Sequence, residues 1–288
     1  LNVHYTRSQA WYNLILAVDP TDPLTIYAGG INIHKSNDGG VIWEQISSWR
    51  DPGFDPAPYV HADQHAIVFN PDDSDEFIVG NDGGIHFTTD TGSNFNAINS
   101  GYNVTQFYSA ALHPSVDMNY FLAGSQDNGT QQFQDATGIV NTEEVNGGDG
   151  AYCFIDQDNP DFQITSYTYN NFYLNSDGDQ DFRDFETTQN LNGGRFINPS
   201  DYDNDANILY AANDENSIVR WNINNLSSIV ESTFEIDLGE IASHIRVSEF
   251  TDHTIYVGTG AGRLFKVLNA NTTSPIVSEI TGSSFPTA

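Results

Sequence analysis

The stretch "HADQHAIVFNPDDSDEFIVGNDGGIHFTTDTGSNFNAIN", residues 61–99, decides the fold. Within it "AIVFNP" alternates β-formers and turns at Pro71, "EFIVGN" and "GIHFTT" resume the two-residue period after short Gly- or Asp-rich turns, and "FNAIN" closes the set. The same order recurs outward. First strands read "ILAVDP" to Pro20, "AIVFNP" to Pro71, "SAALHP" to Pro114, "YCFIDQ" to Gln157, "GRFINP" to Pro199 and "HIRVSE" to Glu249, at intervals of 51, 43, 43, 42 and 50 residues. Second strands follow as "TIYAGG", "EFIVGN", "YFLAGS", "FQITSY", "ILYAAN" and "TIYVGT", and third strands as "INIHKS", "GIHFTT", "GTQQFQ", "NFYLNS", "SIVRWN" and "GRLFKV". Fourth strands read "WEQIS", "FNAIN", "IVNTEEV", "FRDFET", "TFEIDL" and "IVSEIT".

Four short strands per repeat, without helical periodicity, are the signature of β-propeller blades. The expected fold class is therefore all-β, a propeller of six or seven four-stranded blades in one domain over 1–288. Its blade units fall at about 12–48, 64–100, 106–146, 150–190, 193–240 and 243–288. A blade cannot bury both faces alone, so its Val, Ile, Phe and Tyr must pack on neighbouring blades. Residues 1–11 read as the last strand of a blade completed elsewhere, and the start at Leu1 without Met or signal peptide as a processed or excised piece of a longer chain.

Composition narrows the function. Lys and Arg total 9 against 39 Asp and Glu, a net charge of -30, so nucleic acid and anionic membranes repel the chain. Many carboxylates sit in turn-like runs, "PDDSD" (71–75) and "DYDND" (201–205), and read as solvated surface. No apolar run approaches the roughly 18 residues of a membrane span. The single Cys153, in "AYCFI", excludes a disulfide framework and reads as a small buried hydrophobe. A secreted soluble protein fits best.

Two turns between third and fourth strands share a pattern: "SNDGGVIW", with Ser36, Asp38, Gly40 and Trp43, and "TTDTGSNF", with Thr88, Asp90, Gly92 and Phe95. Both fit S/T-x-D-x-G-x-x-W/F, in which the carboxylate ties down backbone N–H groups, Gly takes a positive φ and the aromatic plugs between sheets. A degenerate third, "NSDGDQDF" (175–182), has Asp177 in the Asp position and Asp179 where Gly belongs. The pattern resembles the Asp-box, or BNR, turn of sialidases, sortilin-type receptors, photosystem-assembly propellers and family 74 xyloglucanases with their secreted bacterial relatives. The chain looks most like the last group, on "HADQH" (61–65), "GNDGGI" (80–85), "QFY" (106–108), "GSQDNGT" (124–130) and "GGDG" (147–150). This resemblance implies an extracellular or cell-surface setting.

Departures narrow it further. The seven Arg are scattered, with no cluster to grip a sialic-acid carboxylate and no Arg-Ile-Pro start. The basic face of the photosystem factors and the Cys-rich tail of sortilin-type receptors are missing too.

In a propeller the turns between strands one and two, and three and four, share one face; turns between two and three share the other with the links between blades. Asp38 and Asp90 are thus structural, and the functional face collects His61, Asp63, His65, Asn81, Asp82, Tyr102, Gln106, Tyr108, Gln126, Asp127, Asn128, Asp149, Tyr167, Tyr169, Asn170, Asn213, Asp214, Glu215 and His244. In an extended chain His61, Asp63 and His65 point the same way. They then either ligate a divalent metal or hydrogen-bond the neighbouring blade's "NDGG" or "QDNG" turn.

No cofactor is called for. Calcium, if held, would sit at "DGDQD" (177–181) or "DYDND". Glycoside hydrolysis needs two carboxyls roughly 6.5–9.5 Å apart for inversion; Asp63, Asp82, Asp127 and Asp149 are the carboxylates the face offers, spacing singles out no pair, and Asp127 and Asp149 are the first candidates, the alternative being that both cap tight turns. Aromatics in "WRDPGFDPAPYV" (49–60) and "YTYNNFY" (167–173) suit sugar rings and protein partners equally. The expected function is a secreted binding module for glycan or protein, on the face opposite the Asp-boxes. The alternatives are a polysaccharide hydrolase and an accessory propeller of a large cell-surface or secretion-associated protein.

Overall fold

The computed structural model describes residues 5–50, 53–102, 104–134, 142–178, 183–184, 193–224 and 228–282, none of them helical. They fall into two compact units, Leu1–Val104 and Thr105–Ala288. The first unit holds sheet one, β1 (Ile15–Val18), β2 (Ile26–Gly29), β3 (Ile33–Ser36) and β4 (Glu44–Gln45), and sheet two, β5 (Gln64–Asn70), β6 (Asp73–Asn81), β7 (Gly84–Thr88) and β8 (Asn96–Ala97).

The second unit begins with sheet three, β9 (Ser109–Leu112), β10 (Tyr120–Gly124), β11 (Thr130–Gln134) and β12 (Thr142–Asn146), and sheet four, β13 (Cys153–Ile155), β14 (Gln163–Ser166), β15 (Phe172–Asn175) and β16 (Arg183–Asp184). It ends with sheet five, β17 (Ser200–Asp203), β18 (Ile208–Asp214), β19 (Ser217–Asn222) and β20 (Val230–Glu235), and sheet six, β21 (His244–Val247), β22 (Ile255–Gly258), β23 (Leu264–Leu268) and β24 (Ile276–Glu279). All six are antiparallel meanders in chain order, so the fold class is all-β with four-stranded blades of the propeller kind.

Strand alternation explains the packing. In sheet five Leu209, Ala211, Val219 and Trp221 pack on Ile164 and Phe172 of sheet four and on Phe162, just before its second strand. Ile208, Tyr210, Ala212 and Ile218 of the same sheet pack on Ile245, Ile255, Val257 and Phe265 of sheet six. Successive residues of a strand face opposite ways, so one sheet feeds two cores. Sheets three and four meet through Tyr120, Leu122, Cys153 and Ile155, and sheets one and two through Tyr27, Ile33, Phe77 and Val79. Cys153 is the buried hydrophobe expected, its thiol pushed up to about 11 by burial.

A side-chain clasp ends every first strand. Asp19 accepts the amides of Thr21 and Asp22, Asn70 that of Asp72, His113 that of Ser115, Asp156 those of Asp158 and Asn159, Asp203 that of Ala206, and Ser248 those of Phe250 and Thr251, all at 2.8–3.2 Å. Short polar side chains that bond their own backbone two or three residues on make such turns. The clasps lie 51, 43, 43, 47 and 45 residues apart and correct the register expected for the fifth repeat. "GRFINP" forms no strand; the first strand of sheet five is "SDYD", Ser200–Asp203, within the run expected to be a turn. Asn198-Pro199 imitates the turn that closes other first strands, and two carboxylates disguise a buried strand. Their burial is compensated: Asp201 accepts the Val247 amide at 2.7 Å, and Asp203 faces His253 Nδ1 at 3.0 Å.

His34 on β3 and His86 on β7 occupy matching positions, paired with Ala28 and Val79. Burial lowers both imidazoles below their ordinary value. The unfolded chain then binds the extra protons, so the stability these residues contribute is complete above about pH 6.5 and falls as pH drops below it, by up to about 1.4 kcal/mol per pH unit per histidine. Buried Asp63 and Asp201, raised by desolvation, act in the opposite sense. The observable is therefore a difference: between pH 7.5 and 5.5 the melting temperature of a His34→Gln/His86→Gln variant falls less than that of the wild type. Equal slopes would contradict the assignment.

Candidate functional site

In the first unit the turn before β5 gathers most of the expected residues, with a different geometry. Asp63 takes φ +63°, and the strand starts at Gln64. Residues 61, 63 and 65 therefore do not project together from extended chain. An Asp tolerates the left-handed region, and the bend turns Asp63 inward until only 8% of its surface is exposed. It accepts a hydrogen bond from Asn13 Nδ2. Desolvation raises its carboxyl above the usual range against the Asn13 bond, and the Asp82 charge adds to the rise.

Asp82, in the turn between β6 and β7, accepts the Tyr12 hydroxyl at 2.9 and 3.1 Å and faces His65 Nε2 at 2.5 Å. The Tyr12 and His65 rings meet edge-on at 4.9 Å. His61 lies over Gly83, where an added Cβ would stand 2.3 Å from the imidazole. Both histidines thus contact the "NDGG" turn of their own sheet. Gln64, absent from the expected set, ties this turn to the β2–β3 turn of sheet one: its backbone amide donates to Gly30 O at 2.9 Å and its side chain to Ile31 O at 3.1 Å. Asn81 bridges the turn, accepting the Gly83 amide and approaching His86 Nδ1 at 3.1 Å.

The two D-x-G turns show how scaffold carboxylates work. Asp38 accepts Ser36 Oγ and the amides of Val41 and Ile42; Asp90 accepts Thr88 Oγ1 and the Asn94 amide, all at 2.8–2.9 Å. Gly40 and Gly92 take φ +94° and +86°. Phe95 joins the core between sheets one and two, whereas Trp43 stays over its own turn, Nε1 donating to Gly40 O at 2.9 Å. In the third such turn Asn175 Oδ1 accepts the amides of Asp177 and Gly178; residues 179–182 lie outside the described residues. Asp55–Pro58 line a cleft with Thr91–Ser93 of the second of these turns.

The second unit brings the expected carboxylate pair to adjoining turns. The Asp127 amide donates to Asp149 Oδ1 at 3.2 Å, the Gly129 amide to Gly148 O at 2.8 Å and the Gly150 amide to Ser125 O at 2.8 Å. Asp127 itself takes φ +62°. Tyr108 donates to Gln126 Oε1 at 2.6 Å, and the Tyr167 ring covers Gly148. Desolvation, then the Asp127 and Asp149 charges, raise both tyrosine hydroxyls. Asn128 Nδ2 donates to Gln126 O at 3.3 Å. Tyr169 sits apart, edge-on to Phe196 at 6.0 Å. Asn170 is buried and accepts Asn198 Nδ2 at 2.6 Å, so it positions turns and does not offer itself to a ligand.

A cleft of about 840 Å³ lies elsewhere in this unit, among β9, β13, β17 and β21, with His244, Asp201, Arg246 and Asp252 on its walls and neither Asp127 nor Asp149. No described helix is long and apolar enough to cross a membrane.

The sequence matches no protein-family model and no curated protein. Among solved structures it is similar to an ancestral GH74 enzyme, at 14% identity and a TM-score of 0.45, over 93% of this chain and 38% of that one. It is also similar to YCF48 bound to D1 peptide, at 12% identity and a TM-score of 0.44, over 97% of this chain and 84% of that one. The chain thus spans well under half the length of the first of these relatives.

Proposed function

We propose that the chain is a binding module, working outside the cell or at its surface, that holds a glycan chain on the turns of its second unit. The observation that carries this reading is the surface made by Tyr108, Tyr167, Gln126 and Asn128 around Asp127 and Asp149. Tyr108 is 48% exposed. Aromatic faces stack on the apolar faces of sugar rings while amides and carboxylates take the hydroxyls. With a net charge of -30 the chain favours neutral or basic ligands.

Hydrolysis is the competing reading, because Asp127 and Asp149 are neighbours. Against it, Asp149 is engaged as the clasp of the Asp127 amide. A protein partner is a further reading, favoured by the exposed rings of Phe107 and Phe196.

Affinity electrophoresis through gels containing xyloglucan, mixed-linkage β-glucan or algal polysaccharides tests the proposal. The wild type is retarded by at least one polymer, and Tyr108→Ala or Tyr167→Ala weakens binding about tenfold, a loss of about 1.4 kcal/mol. Retardation untouched by both substitutions would remove the surface from the account.

A further inference from the structure

The first unit carries a second constellation that sugar binding does not use. A carboxylate oxygen of Asp63 and one of Asp82 lie within 4.8 Å of each other. Two ligands each about 2.3–2.6 Å from one calcium ion are separated by up to about that distance. Like charges this close, one of them buried, are relieved by a bound cation or by a proton retained on one of them. The groups that bear on Asp63 are Asn13, Asp82, His61 and His65, with no Lys or Arg among them.

An independent observation points to what is missing. Asn13 is 0% exposed, and its Oδ1 has no hydrogen-bond partner. Its Nδ2 donates to Asp63; since the two amide atoms share one carbon, Oδ1 lies within about 5 Å of that carboxylate. Gln64, next in the chain and also 0% exposed, has a second orphan oxygen, Oε1. Buried acceptors without donors are rare in native structures, and a cation satisfies oxygens that no N–H reaches.

We propose that Asp63, Asp82 and the Asn13 side-chain oxygen hold a calcium-class cation at the turn before β5. The donors are all oxygen, which selects a hard ion over zinc or copper. His65 and Tyr12 belong to the outer shell: both bond Asp82 and fix its orientation, as partners of ligating carboxylates do. The ion pins residues 61–65 to the "NDGG" turn, and through Asn13 to the segment before β1. It differs from the histidine site and the "DGDQD" and "DYDND" loops that the sequence suggests.

Terbium luminescence excited through tyrosine tests the site at pH 7.5, because Tyr12 is hydrogen-bonded to a ligand carboxylate. The full chain gives saturable emission that calcium displaces. Asp82→Asn and, separately, Asp63→Asn reduce the terbium affinity at least tenfold, while Asp201→Asn, in another acidic cluster, leaves it unchanged. Circular dichroism verifies the fold, and Asp82→Asn serves alone if Asp63→Asn does not fold. Calcium also raises the melting temperature of the wild type and not of Asp82→Asn. Absence of calcium-displaceable emission, equal emission from the variants, or tighter binding of zinc than calcium would each overturn the assignment.

Discussion

Trp221→Ala lowers the stability of the second unit by about 3–5 kcal/mol, the cost of removing a fully buried aromatic that leaves its cavity unfilled. Trp221 is 0% exposed and fills the core between sheets four and five, its ring 5.2 Å from that of Phe172. Its Nε1 donates to Glu231 at 2.9 Å on the adjacent strand β20, so the substitution also leaves a partly buried carboxylate, already raised by desolvation, without its donor. A melting temperature about 10 °C lower is expected at this chain length. Trp221→Phe, which keeps most of the volume and loses the donor, falls in between. A loss below about 1 kcal/mol for Trp221→Ala would mean that this core is not packed as described.

Gly124→Ala costs about 3 kcal/mol or more, whereas Gly80→Ala, at the matching place in sheet two, costs less than about 1 kcal/mol. Gly124 is the last residue of a second strand and Gly80 the last but one, Gly124 paired with Ser109 and Gly80 with Ala66. A Cβ at Gly124 would stand 2.1 Å from Ala151 O, which belongs to the backbone leading into sheet four and cannot rotate away. At Gly80 the nearest atom is Ala66 Cβ, at an ordinary 3.8 Å. Because Gly124 O accepts the Tyr108 amide and the Gly150 amide bonds Ser125, Gly124→Ala also disturbs the candidate binding turns. Urea midpoints of the two variants measure the contrast; equal midpoints would contradict it.

Much of the architecture is legible from local chemistry. Second strands stand out in "TIYAGG", "ILYAAN" and "TIYVGT" as short apolar runs ending in a turn; the observed β2 and β22 fall within those runs, and β18 extends one residue past its run. The fifth first strand is hidden because its burial is stabilised by long-range partners, Val247 and His253, which no local pattern displays. The clasp series, Asp19, Asn70, His113, Asp156, Asp203 and Ser248, was present in the sequence as a periodic polar residue; its chemical variety masks its common role.

At the site, proximity in sequence predicts membership better than geometry. "HADQH" and "NDGG" do come together, but the bend at Asp63 depends on Asn13, fifty residues earlier. Gln64 looks like filler between two histidines, yet it bonds the neighbouring sheet. Asn170 looks available among tyrosines, and only the partner Asn198 reveals that it is buried.

Release of reducing ends from xyloglucan and β-glucans, measured beside gel retardation for the wild type, Asp127→Asn and Asp149→Asn, tests the central claim most directly. A binding surface in which Asp149 clasps a turn predicts retardation without release, with binding weakened in Asp149→Asn as the Asp127 turn loosens. Release by the wild type that disappears in either variant would make the pair catalytic and contradict the account.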